Sequence, residues 1–220
     1  MLLIFLTLLS LISNTNGIEQ IHLSLTGKPS ETYITWTTLN KTHNNYINYG
    51  INNKLKEDGC YLNNTLTKID TNRFNNDNFD KNGRITYIHY GLLTNLIPNK
   101  YYCYQIYNEY NTSQVYTFRM VDYQQKETSI LLFGDFSDDN NNLTATSIYN
   151  KLNTFDFMVH NGDIAYDMFE QNGITGDDYM NKLQFISARN YYMTTPGNHE
   201  RYYNFSHYKN RFKNPGLVSN

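Results

Sequence analysis

Three apolar runs that end in polar turns decide how the second half of this sequence folds. SILLFGD at residues 129–135 and VHNGDIAYD at residues 159–167 each lead into Gly-Asp, and TTPGNHER at residues 194–201 leads into Gly-Asn-His. Between them, residues recur at helical spacing. Strands that alternate with helices predict βαβ units and a parallel sheet.

Two segments carry the helical spacing. The first holds Ala145, Ile148, Tyr149 and Leu152. The second, GDDYMNKLQFISARN, places Tyr179, Leu183 and Ile186 on one face. We expect both helices to pack against the sheet.

The polar ends of these runs are candidate metal ligands. In a parallel sheet the functional loops collect at the carboxyl ends of the strands, so Asp135, Asp163 and Asn198 should lie along one rim. Tyr166 and His199 add a phenol and an imidazole. Oxygen-rich ligands with few nitrogens suit ferric iron, zinc or manganese, and a carboxylate can bridge two ions about 4 Å apart. A single Gly-Asp is common in ordinary turns, but three such turns in order favour a metal site over unrelated turns.

The first half has a different pattern. Short β-branched and aromatic runs are separated by Gly, Asn and Pro, which predicts an antiparallel β-sandwich. These runs are IHLSLTG, TYITWTT, YINYG, ITYIHYGLL, KYYCYQIYN and SQVYTFRM. Trp36 alternates with Ile34 and is predicted to be core, whereas TNRFNNDNFDKNG at residues 71–83 is interpreted as a long loop.

Composition limits the partners and the compartment. A net charge of -2 over 220 residues argues against nucleic acid as a partner. The apolar run from Leu2 to Ile12 is too short to span a bilayer and is typical of a secretory signal, predicted over residues 1–17. The alternative is a buried N-terminal strand. With no later apolar segment long enough for a membrane anchor, we expect a secreted or lysosomal protein.

The two cysteines agree with that compartment without proving it, whereas the sequons are about as many as the Asn-rich composition produces by chance and are no evidence for it. Cys60 and Cys103 could close one disulfide, although their spacing does not show that they approach each other. Asn142 lies in a sequon but is also placed to cap a helix. The candidate glycosylation sites are Asn40, Asn63, Asn111 and Asn204.

The motifs resemble a known family. GDFSDDN, GDIAYD and PGNHE resemble the first three of the five ligand motifs of purple acid phosphatases, in the metallophosphoesterase superfamily. IEQIHLSLTGKPSETYITWTT resembles the opening of their fibronectin type III-like sandwich, and YMTTPGNHERYYNFSHYKNRFKNPG is similar to the animal-type branch. The resemblance implies a sandwich over residues 18–122 and the first, β-α-β-α-β part of an α/β catalytic domain over residues 128–220.

The resemblance also implies a role for each candidate residue. Asp135 and Tyr166 would bind Fe(III), Asp163 would bridge both ions, and Asn198 would bind a divalent Zn, Fe or Mn ion. His199 would contact the phosphate or protonate the leaving group, or else support the ligands from behind. His160 and Glu200 are interpreted as supporting groups.

The implied function is an acid phosphatase that hydrolyses small phosphate monoesters with a metal-bound hydroxide. One alternative is a non-catalytic secreted binding protein that keeps the sandwich and a vestigial phosphoesterase half. Another is a nucleotidase or phosphodiesterase of the superfamily, against which Tyr166 argues because the phenolate ligand marks the purple branch.

The sequence departs from the family pattern in two places. Ser137 replaces a glycine of the first motif, and the two later motifs, which supply three histidine ligands, are not found in these 220 residues. We therefore expect this chain alone to expose an apolar sheet surface, to be poorly soluble and to turn over slowly. The sequence does not indicate the physiological substrate, the divalent ion or the oligomeric state.

Overall fold

The computed structural model describes residues 17–52, 60–76, 83–137 and 143–215. The signal predicted over residues 1–17 lies almost wholly outside the described residues, and so does the proposed helix cap at Asn142. Within the described residues, no helix is both long and apolar enough to cross a membrane.

Strands dominate the first half, and strands alternate with helices in the second. The first half contains β1 (Glu19–Leu25), β2 (Thr32–Thr38), β3 (Tyr46–Ile51), β4 (Asn64–Leu66), β5 (Ile69–Asn75), β6 (Ile85–Leu93), β7 (Tyr101–Tyr107) and β8 (Tyr116–Arg119). The second half contains β9 (Ile130–Phe133), α1 (Leu143–Tyr149), β10 (Phe157–Asn161), α2 (Ile174–Ser187), β11 (Tyr191–Thr195) and α3 (Tyr202–Arg211).

The first half forms the predicted sandwich. Strands β5, β6, β2 and β1 are neighbours in one sheet, and β4, β3, β7 and β8 form the other. Alternate side chains of both sheets meet in one core, where Ile34, Trp36 and Tyr104 are fully buried. Trp36 is therefore a core residue, as predicted.

The loop prediction for residues 71–83 is wrong over its first part. Residues 69–75 form β5, which pairs antiparallel with β6 from Ile69 opposite Gly91 to Asn75 opposite Ile85. This strand lies at a sheet edge, where polar side chains can face solvent while the backbone completes the ladder. The polar composition of β5 is the reason that the sequence pattern did not predict a strand here.

The second half forms the predicted parallel sheet. Strands β9, β10 and β11 run parallel, with Val159 opposite both Leu132 and Met193. The buried residues of α2 include Tyr179, Leu183 and Ile186, as predicted.

The helix predictions need two corrections. Helix α1 ends at Tyr149, so Leu152 lies in the turn that follows it. The turn forms because backbone N–H groups bond three residues back, as from Leu152 N to Tyr149 O at 3.2 Å. The sequence patterns did not indicate α3.

One strand joins the two halves. Strand β1 pairs with β2 on one side and, in parallel, with β11 on the other, where Leu23 lies opposite Tyr191. The result is a mixed seven-stranded sheet in the order β5-β6-β2-β1-β11-β10-β9. The parallel sheet is thus held in a fixed position against the sandwich.

A buried ion network also crosses between the halves. Arg211 is 3% exposed and donates to Asp177 Oδ1 at 2.7 Å and to Gln20 Oε1 at 2.9 Å, and Arg84 also pairs with Asp177. Burial raises the pKa of Asp177, but the two arginines outweigh this and lower it below its ordinary value.

The edge strand β9 is buried on one face only. Leu131 and Phe133 pack with the helices, whereas Ile130 is 51% and Leu132 is 66% exposed. The apolar run at residues 129–135 is therefore only half buried.

The two cysteines form a disulfide. Cys60 is bonded to Cys103 of β7, and their Cα atoms are 6.0 Å apart. The bond fixes the segment before β4 against the buried centre of the four-stranded sheet.

Candidate metal centre

The three polar turns are neighbours at one end of the parallel sheet. The Asp135 N–H donates to the Gly162 carbonyl at 3.2 Å, and the Ala165 N–H donates to the Phe136 carbonyl at 3.1 Å. The second and third turns also touch, since a Cβ at Gly162 would lie 2.8 Å from the Gly197 Cα. The structure therefore brings together the rim that the strand order predicts.

Glycine is required where the second and third turns meet. Gly162 has a φ of 78°, and a Cβ at Gly197 would lie 2.2 Å from Asp163 Oδ1. A side chain at either position would force the turns apart.

Left-handed backbone conformations concentrate at the same place. Asp135, Asp163, Ala165 and Tyr166 all have positive φ, at 51°, 55°, 66° and 35°. Non-glycine residues rarely adopt such angles, and they cluster at sites where a side chain must be aimed.

Tyr166 and Asp135 are in direct contact. The Tyr166 hydroxyl donates to Asp135 Oδ1 at 2.7 Å, and the phenol is 38% exposed. This hydrogen bond raises the pKa of Tyr166 to about 12. Beside the Asp135 carboxylate the phenol keeps its proton; a cation between the two oxygens would favour the phenolate.

Asp163 is held by the third turn and by Glu200. Asp163 Oδ1 accepts the His199 N–H at 3.2 Å. The buried Glu200 carboxylate accepts backbone N–H groups from Asp163 at 2.9 Å, Ile164 at 2.7 Å and Gly197 at 2.7 Å. Glu200 thus ties two turns together from behind, which is the orienting role that the sequence suggested.

His199 is paired with a residue that the sequence reading missed. Its Nδ1 lies 2.7 Å from Asp167 Oδ1, and this hydrogen bond raises the pKa of His199. The His199 ring lies 4.5 Å from the Tyr166 ring, centroid to centroid. The sequence feature that could have identified this pair is Asp167 itself, an acidic residue directly after Tyr166. The turn places its carboxylate against the His199 imidazole.

The two remaining predicted residues differ in exposure. Asn198 is exposed and begins the short 3-10 turn His199–Arg201. His160 is buried beneath the turns, with its Nδ1 2.7 Å from the Tyr192 hydroxyl, and burial lowers its pKa to about 4. His160 therefore supports the turns and does not face solvent.

The chemistry of these side chains fits a hard cation. Asp135 and Asp163 form no ion pair with a lysine or arginine of the described ranges, so their charges are available to an ion. No group of three or more His, Cys, Asp or Glu side chains is placed to hold a metal within those ranges. The rim contributes two carboxylates, and its other donors are a phenol and an amide, which suit hard or borderline ions.

A cavity of about 440 Å³ lies elsewhere, at the opposite end of the parallel strands. Arg119, Asp156, Arg189 and Asn190 are among the residues that line it. The candidate metal centre is not this cavity. It lies on the rim and is identified by the chemistry of its donor side chains.

Both halves of the chain match known protein families. Residues 18–120 match the family described as Purple acid Phosphatase, N-terminal domain, and residues 128–220 match Calcineurin-like phosphoesterase. The chain is 34% identical over 201 residues to acid phosphatase type 7 of Danio rerio and 30% identical over 204 residues to that of Homo sapiens. Each comparison covers 90% of this chain, but only 43% and 44% of the relative.

A solved structure shows the same fold. Purple acid phosphatase PPD1 from yellow lupin (Lupinus luteus) superposes with a TM-score of 0.73 at 21% identity, over 93% of this chain and 42% of that one. The chain thus spans less than half the length of the relatives that it matches.

Proposed function

Because this chain belongs to the purple acid phosphatase family of calcineurin-like phosphoesterases, we propose that its rim serves a metal-dependent acid phosphatase that hydrolyses small phosphate monoesters. The observation that carries the proposal is the contact between the turns that present Asp135, Asp163 and His199. This contact places two carboxylates and an imidazole from separate turns on one rim.

Four side chains would hold the ions. Asp135 and Tyr166 would bind Fe(III), Asp163 would lie between the two ions, and Asn198 would bind a divalent Zn, Fe or Mn ion. Such ions supply Lewis acidity toward the phosphoryl group and make water more acidic. Glu200 keeps Asp163 in place, because its carboxylate accepts the backbone N–H groups of Asp163 and Ile164.

His199 would act on the substrate. Its Nδ1 is engaged by Asp167, so Nε2 is the nitrogen left for a phosphoryl or leaving-group oxygen. An imidazole oriented in this way can donate a proton to the departing alkoxide.

Ferric binding by the chain tests the proposal. Titration with Fe(III) should produce a visible phenolate-to-iron absorption band and bind one equivalent of iron by metal analysis. Tyr166→Phe should remove the band with iron still bound, and Tyr149→Phe, an exposed tyrosine on α1, should leave the band unchanged. Absence of ferric binding, or a band that persists in Tyr166→Phe, would contradict the assignment. Turnover by this chain alone is expected to be slow, since only four ligands are proposed for two ions.

The environment that we propose is secretory or lysosomal. A disulfide is typical of oxidising compartments. Of the candidate glycosylation sites, Asn40, Asn63 and Asn204 are exposed, whereas Asn111 is partly buried. The proposed partner is a small phosphorylated molecule and not a nucleic acid.

A further inference from the structure

The cavity at the amino ends of the parallel strands lies where the two halves of the chain meet. Residues of β7 and β8 line it from the sandwich, and residues of α1, of the turn after α2 and of the start of β11 line it from the other half. Its volume of about 440 Å³ is within the range of small-molecule sites, which occur preferentially between domains. A ligand held there would contact both halves at once.

Each half contributes an accessible tyrosine and an arginine to this cavity. From the sandwich come Tyr101 and Arg119, which lie directly opposite each other in the β7–β8 ladder. From the other half come Arg189 and Tyr149, whose ring at the end of α1 is 43% exposed. The cavity therefore combines aromatic rings with guanidinium groups.

The walls of the cavity are held by contacts within the protein. Asn190 is 8% exposed, and its Nδ2 donates to the Leu152 carbonyl at 3.2 Å, which fixes the segment after α1. Phe185 holds two further wall residues, since its ring lies 5.2 Å from the Tyr149 ring and its carbonyl accepts Arg189 Nη1 at 3.0 Å. A site that is already formed loses little binding free energy to the ordering of its side chains.

Arg119 retains hydrogen-bond donors for a ligand. Its Nη1 donates to Asn99 Oδ1 at 3.1 Å, and its Nη2 pairs with Asp156. A guanidinium carries more N–H groups than these two bonds use. The others have no acceptor among the residues that the structure describes, and the side chain is 30% exposed.

The charges on the walls favour a singly charged anion. Two arginines and Asp156 are the charged side chains among the described lining residues, which leaves one net positive charge. The Asp156 carboxylate is occupied by Arg119 and by two further donors, Gln125 Nε2 at 2.9 Å and the Ser129 N–H at 2.8 Å. A carboxylate ligand matches the remaining charge, whereas Asp156 would repel a phosphate dianion more strongly.

We infer that this cavity binds a small aromatic carboxylate, with its carboxylate on Arg119 and its ring against Tyr101 and Tyr149. Guanidinium groups bind carboxylates through two parallel hydrogen bonds, and aromatic rings attract one another in offset or edge-to-face arrangements. The inference does not depend on the proposed function, because the cavity lies at the opposite end of the parallel strands from the rim.

Benzoate is the probe that tests the inference. The full chain is used without added metal ions, which would attract a carboxylate to the rim, and isothermal titration should show one equivalent of bound benzoate. Benzyl alcohol has the ring without the charge, and inorganic phosphate has charge without the ring, so each should bind about tenfold more weakly or less. The melting temperature of the chain should rise with benzoate concentration.

Two substitutions on the cavity walls should reduce binding. Arg119→Lys keeps a positive charge beside Asp156 but lacks the planar fork, and it is expected to weaken benzoate binding about tenfold. Asn153→Trp, at an exposed position that lines the cavity, should fill the space and abolish binding. Arg73→Lys, at an exposed position on the edge strand β5, is the matched control and should bind benzoate normally. Circular dichroism checks that each variant is folded.

Several results would overturn the inference. These are no binding of benzoate, binding of benzyl alcohol or inorganic phosphate as tight as that of benzoate, and full affinity in both Arg119→Lys and Asn153→Trp. None of them bears on ferric binding at the rim, which tests the proposed function separately.

Discussion

Glu200 connects two turns through a single carboxylate. Its oxygens accept three backbone N–H groups from Asp163, Ile164 and Gly197, and the side chain is 6% exposed. Backbone donors in a buried position need acceptors, and here the fold relies on one side chain to supply them.

Glu200→Gln should therefore weaken the rim. The amide has one acceptor oxygen, and its NH2 group would face at least one of the three donors. We expect a loss of about 1–3 kcal/mol in the free energy of unfolding, measured by guanidinium denaturation, together with weaker ferric binding. Glu170→Gln, at an exposed position, is the control and should change neither. Unchanged stability in Glu200→Gln would contradict this role of the carboxylate.

At this scale the sequence predicted which turns come together but not how their side chains are held. Asp135, Asp163 and His199 were found because each follows an apolar run. Asp167 was missed because its contact with His199 depends on left-handed backbone at Ala165 and Tyr166, which no periodic pattern encodes.

At the scale of the element, β9 presents two unlike faces. Leu131 packs with the helices, while Leu132 points to the opposite face and is 66% exposed. The two neighbouring leucines allow a matched comparison.

Leu132→Thr should leave the fold intact and improve solubility. Threonine suits a strand, and an exposed position tolerates it within about 0.5 kcal/mol. Leu131→Thr should instead lower the free energy of unfolding by about 1–3 kcal/mol, because it removes packed methyl groups. Denaturation curves and light scattering of both variants provide the measurements. Equal destabilisation by the two substitutions would mean that both faces of β9 are covered.

Elements with a strong period were predicted well, and edge elements were not. Helix α2 shows its buried face in the spacing of Tyr179, Leu183 and Ile186. Strand β5 carries mostly polar side chains. It stays in the sheet through its backbone hydrogen bonds to β6, which do not require apolar side chains. Helix α3 begins with left-handed residues and has no regular apolar stripe at its start.

At the scale of the whole molecule, three buried histidines couple stability to pH in addition to His160 beneath the rim. Burial lowers the pKa of His22, His89 and His207 to about 4. Two of them also face the charge of Arg211, whereas His89 lies between the hydroxyls of Thr38 and Thr71, 2.9 Å from each. All three are neutral in the folded chain at neutral pH.

Stability should decrease as the pH falls from about 6.5 to about 4, since the unfolded chain binds protons in this range and the folded chain does not. Each unit of pKa difference corresponds to about 1.4 kcal/mol per histidine, so the combined effect should reach several kcal/mol. Denaturation at about pH 7 and about pH 4.5 measures it. His89→Gln should reduce the pH dependence, and His43→Gln, at an exposed position, should not. A free energy of unfolding that is constant across this range would contradict the burial of these groups as neutral imidazoles.

The strand shared by the two halves has a consequence for biosynthesis. Strand β1 leaves the ribosome early, but its neighbour β11 and the Ser187 hydroxyl that bonds to the Ile21 carbonyl, 166 residues away, are translated much later. Contacts over such separations form slowly, because a long loop must close first. The edge of β1 that pairs with β11 therefore stays unpaired until β11 has been translated. Chaperones that shield exposed strand edges would act in that interval.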